Sequence, residues 1–110
     1  MAYDEGLADR VRQAVTGEPG VTEKRMFGGL AFLVHGNMAV SASGQGGLLL
    51  RIDPADAQAH TERPGVRRFQ MRGREMDGWL SIDSDVVTGD EDLQRWVDTG
   101  LAYARSLPAK

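Results

Sequence analysis

The chain has 110 residues, a formal net charge of −3 and no cysteine. That length suits a single domain over residues 1–110, with a core that needs no staples. The missing thiols exclude disulfide scaffolds, thiolate zinc sites and cysteine nucleophiles. The negative balance argues against indiscriminate nucleic-acid binding. No apolar run approaches the ~20 residues needed to span a bilayer. The polar start from Met1 to Gly6 does not read as a signal peptide, so the expectation is a cytoplasmic protein without membrane association.

Leu7, Val11, Ala14 and Val15 follow the spacing of an amphipathic helix, with Asp4 and Glu5 at the positive end of its dipole. Gly17 and Pro19-Gly20 stop it. The stretch from Glu23 to Ile52 then reads as three short strands joined by two tight turns. Leu30, Phe32 and Val34 share one face of the first, Met38, Val40 and Ala42 of the second, and Leu48, Leu50 and Ile52 of the third. His35-Gly36-Asn37 and Ser43 to Gly47 supply the turns.

Asp53-Pro54 opens a short helix that ends before Arg63-Pro64-Gly65. Val66 to Arg72 is a fourth strand with Phe69 and Met71 on one side and Arg68, Gln70 and Arg72 on the other. Gly73 to Asp77 reads as a loop, and Gly78 to Ile82 as the fifth strand. Thr88 and Glu91 have capping-box spacing ahead of a last helix whose apolar stripe is Leu93, Trp96, Val97, Leu101 and Ala104. Gly100 inside that helix costs about 1 kcal/mol of propensity, which points to close packing there. The predicted fold is α+β, in the order α-β-β-β-α-β-β-α, with an antiparallel five-stranded sheet and helices mainly on one face.

Arg25-Met26-Phe27-Gly28-Gly29, followed by an apolar strand, a Gly-Asn turn and a second strand, resembles the signature of the TfoX/Sxy N-terminal domain. The Gly78-Trp79-Leu80 strand and the helix carrying Trp96 and Ala104 fit the same family, and the resemblance runs from about Tyr3 to Leu107. It implies a fold similar to that of type III secretion chaperones and a role like that of bacterial regulators of competence genes. It also implies a stand-alone amino-terminal module, because the longer members carry a carboxy-terminal domain that this sequence, ending at Lys110, does not include.

The residues themselves offer little chemistry. Both glycine clusters lie between strands and match neither GxGxxG nor GxxxxGK, so turns explain them better than a phosphate loop. His35 and His60 have no partner ligand in register and read as solvated. Asp83 and Asp85 begin like a calcium loop, but Val86-Val87 break it. The arginines between Thr61 and Glu75 are the one uneven feature: Arg67, Arg68, Arg72 and Arg74 form a candidate binding face if they share one surface. An edge strand kept from aggregating by its charges is the plainer account.

The favoured reading is a non-enzymatic regulatory or adaptor domain with no cofactor and no metal. It would act on an unidentified protein partner through the sheet's exposed side or an edge strand, as a homodimer. An alternative is a nucleic-acid-binding accessory protein using the four arginines with Arg25 and Arg51. A small RNA methyltransferase comes last, since no cofactor-binding βαβ unit is visible.

Overall fold

The computed structural model describes residues 3–26 and 28–110. Helix α1 spans Glu5–Ala14, and the Asp4 carboxylate caps it by accepting the Leu7 N–H at 3.1 Å. Four strands follow: β1 (Val21–Met26), β2 (Gly29–Val34), β3 (Asn37–Ala42) and β4 (Leu48–Arg51). A 3₁₀ turn at Pro54–Asp56, capped by the Asp53 side chain as the sequence suggests, leads into α2 (Ala57–Thr61). Then come β5 (Val66–Met71), β6 (Arg74–Ile82), a second 3₁₀ turn at Ser84–Val87 and α3 (Asp90–Ser106).

The strands form one open antiparallel sheet in the order β1-β2-β3-β4-β6-β5. Among the described residues the sheet therefore has six strands, not five. The additional one is β1, the polar segment Val-Thr-Glu-Lys-Arg-Met, which pairs with β2 from Val21↔Val34 to Met26↔Gly29. Thr22 to Arg25 are all exposed, so burial leaves no period-two signature there. The ladder to β2, rather than an apolar pattern, makes it a strand.

One face of the sheet carries α1, α2 and α3 over a core that includes Phe32, Val40, Leu50, Ile52, Leu80, Ile82, Trp96 and Val97. The register of β2 and β3 slips at Ala39, because Phe32 pairs with Val40 while Leu33 pairs with Met38. This bulge turns Met38 away from Val40 and Ala42, correcting the expectation that all three share a face. It also explains Gly100: a Cβ there would stand 2.5 Å from the Ala39 carbonyl oxygen, so α3 sits directly on the bulge. The close packing expected at Gly100 is borne out.

The opposite face holds a second, smaller cluster of Ala31, Leu33, Met38, Leu49 and Phe69, flanked by Met26, Met71 and Trp79. Trp79 thus lies across the sheet from Trp96 and not in one core with it. Two further corrections concern local structure. Residues 73–77 are not a loop: Arg72 and Gly73 form a tight turn, and β6 starts at Arg74. No capping box forms at Thr88, whose hydroxyl donates back to the Asp85 carbonyl at 3.1 Å; Gly89 occupies the N-cap instead.

Candidate functional site

The far face of the sheet owes its enclosure to the chain's own turns. Met26 at the end of β1 and Met71 at the end of β5 belong to opposite edges of the sheet, yet they line one cavity of about 210 Å³. The end of the β5 strand and its turn thus lie near the end of β1. Leu49 and Phe69, with the two methionines, give the cavity apolar walls; Ser41, Ser43 and Gln45 bring polar groups, and Arg72 stands among them.

Of the family signature, Met26 lines this cavity. Gly29 lies so near the end of β3 that a Cβ there would stand 2.3 Å from the Ala42 carbonyl oxygen and 3.1 Å from Ser41 Oγ. A glycine is required for that approach, which seats the start of β2 on Ser41 to Gly44. Met26 lines the cavity and Arg25 is exposed beside it, opposite Leu30 in the ladder. Gly28 takes φ +76° in the turn. Phe27 lies outside the described residues. Ser41 is buried, and its hydroxyl donates to the Ala42 carbonyl at 3.2 Å. The Ser43 to Gly47 turn predicted from sequence is closed by the Ser43 N–H donating to the Gly47 carbonyl at 2.9 Å.

The arginine segment is divided. Arg67 pairs with Ser81 and Arg68 with Leu80, so the two side chains leave opposite faces of β5. Arg67 forms an ion pair with Asp83 at 2.8 Å. Arg68 lies against α2, with both terminal nitrogens 3.4 Å from Gln58 Oε1 and Asp77 at 3.9 Å, and its buried Nε has no hydrogen-bond partner. Arg72 is in the turn at φ +55°, not on the strand, and Arg74 opens β6 opposite Met71. The surface imagined for all four does not exist as one plane. Among the described residues, Arg72 and Arg74 make no ion pair. Arg51 is also separate, its guanidinium 5.3 Å from the Trp79 ring and 5.8 Å from that of Tyr103.

A left-handed conformation costs a non-glycine residue roughly 1–2 kcal/mol. Arg72 is held there at the rim of a cavity, and sequence reading misses this because an Arg-Gly pair lacks the Asn-Gly or Asp-Gly mark of a hairpin. The cavity itself could not be seen in sequence either, since its walls come from distant parts of the chain.

Other titratable groups serve the scaffold. Arg12 reaches from α1 to Glu23 on β1 with two bonds, Nε to Oε2 at 2.6 Å and Nη2 to Oε1 at 3.0 Å. That hydrogen bonding holds Glu23 below the usual carboxylate range and Arg12 above the usual guanidinium range, against the opposing effect of burial in each case. His60 packs edge-on to Trp96 with ring centroids 5.4 Å apart, so it is less solvated than the sequence suggests. Among the described residues no group of His, Asp and Glu is arranged to hold a metal ion, and no helix is long and apolar enough to cross a membrane.

The family model of the TfoX N-terminal domain matches residues 13–104, which takes in every strand and most of α3. Comparison with curated proteins and with solved structures gives no match. On the extent of the family match, the chain belongs to the TfoX N-terminal domain family.

Proposed function

We propose that this chain is a regulatory or adaptor domain without catalytic activity, cytoplasmic, acting through protein–protein contacts and assembling as a homodimer. Its family membership supports a regulatory role. The observation that carries the choice of surface is the open edge of the sheet at β1. Among the described residues this strand pairs only with β2, and Thr22, Glu23, Lys24 and Arg25 are all exposed along it. Backbone groups on such an edge can add a strand from a partner, with side chains setting register.

The sheet's far face offers less. Its apolar side chains are mostly buried within the chain, and Met76 is the one large apolar residue with substantial exposure among those described. The edge is therefore preferred over the face as the docking surface. Dispersal of Arg67, Arg68, Arg72 and Arg74 removes the main argument for a nucleic-acid groove.

Light scattering on a size-exclusion column tests the reading, with Lys24→Glu/Arg25→Glu beside the unmodified chain. A dimer that the double substitution converts to monomer is expected. A strict monomer, or a dimer indifferent to these residues, would overturn the edge assignment. Salt-sensitive nucleic-acid binding lost in Arg68→Ala/Arg72→Ala would overturn the adaptor reading itself.

A further inference from the structure

We infer that the cavity between the end of β1 at Met26 and the β5–β6 hairpin is a binding site for a small carboxylate with a compact apolar body. The inference does not depend on the adaptor reading, since it rests on the cavity alone. At about 210 Å³ the space is below the ~300–1,000 Å³ common for drug-sized ligands, so a single ring or short branched chain is the fitting size.

The lining specifies the rest. Met26, Leu49, Phe69 and Met71 make a wall suited to an apolar body. Among the described lining residues Arg72 is the only charged one, and no acid pairs with it. A guanidinium left without a carboxylate partner, beside an apolar wall, favours an anion that brings one, in the two-pronged geometry arginine offers. The hydroxyl of Ser43 and the amides of Gln45 and Gln70 stand within the same lining and can donate to carboxylate oxygens. One cation matches a monoanion; a phosphate dianion would call for more positive charge and has no use for the methionines and Phe69.

The backbone provides an unusually clean test. Arg72 has φ +55°, so Arg72→Gly removes the guanidinium while relieving its conformation, and the fold should survive. Amide proton–nitrogen NMR spectra would be recorded while titrating phenylacetate, phenylacetamide or inorganic phosphate. Phenylacetate should shift the amides of Ser41, Ser43, Gln45 and Gln70 to Arg72 in a saturable manner. Phenylacetamide and phosphate should bind about tenfold more weakly or worse, as expected when a charged hydrogen bond is lost. In Arg72→Gly the preference for acid over amide should vanish. Equal binding of acid and amide, tighter binding of phosphate, shifts centred on other elements, or no shift at all would each overturn the assignment.

Discussion

Two hairpins in this sheet share one turn geometry and put it to different uses. His35-Gly36 joins β2 to β3 with φ of +51° and +85°, and Arg72-Gly73 joins β5 to β6 with φ of +55° and +78°. Positive φ at both central residues is the two-residue turn whose twist matches that of the strands. The first turn is tied down from both sides. The His35 N–H donates to the Gly20 carbonyl at 3.3 Å, the His35 carbonyl accepts from Lys110 at 2.9 Å, and the Asn37 amide donates to the Pro108 carbonyl at 2.9 Å. Around the second turn there is open space at Gly73, and Arg74 to Asp77 are exposed. Where a turn is tied by hydrogen bonds to neighbouring segments, its residues serve the fold; where it is free at a cavity rim, a charged side chain is available to a ligand.

Substitutions can break that contrast in order of size. Gly100→Ala strikes the bulge behind the first hairpin. The gain of about 1 kcal/mol in helix propensity is outweighed by overpacking against the Ala39 carbonyl, giving a net loss of about 2 kcal/mol by urea denaturation. Asn37→Ala removes the amide bond to Pro108 at a 2 % exposed site and should cost about 1 kcal/mol in the same assay. Arg72→Gly works the other way, raising stability by about 0.5–1 kcal/mol through its relaxed backbone.

The smallest effect concerns Glu23, which anchors β1 to α1. Its folded pKa is lowered by the Arg12 hydrogen bonds, so the stabilisation is present above the ordinary carboxylate value of about 4.3 and is lost as pH falls through the lower folded value. Glu23→Gln should therefore lower stability slightly in the neutral region, as suits an exposed pair, and its stability–pH curve should converge with that of the unmodified chain as pH falls below about 4, which flattens the acid limb.

The strands of the inner sheet were legible because burial on the helix face leaves a repeat of two residues, as in Leu30, Phe32 and Val34. Gly100 was legible for a related reason, since its loss of helix propensity needs a close neighbour. Less accessible was anything set by the ladder or by contacts between distant parts of the chain. Strand β1 is exposed along Thr22 to Arg25, so nothing in its composition separates it from a polar loop. Ala39 carries no mark of a bulge, and one misplaced residue put Met38 on the wrong face. The arginines looked contiguous in sequence, but adjacent residues of a strand face opposite ways, and the Arg72-Gly73 turn ended the strand earlier than its alternation suggested. Of the cavity, Met26 in the family signature marks one wall; the opposite wall comes from residues 69–72, more than forty positions further along the chain.

The central claim is that Arg72 serves a ligand at a cost to the fold, which a thermal melt can test in one experiment. The unmodified chain and Arg72→Gly would each be melted with and without saturating phenylacetate. The account predicts that Arg72→Gly melts higher than the unmodified chain without ligand, and that phenylacetate raises the transition of the unmodified chain by clearly more than that of Arg72→Gly. A lower melting point for Arg72→Gly, or an equal rise in both proteins, would contradict it.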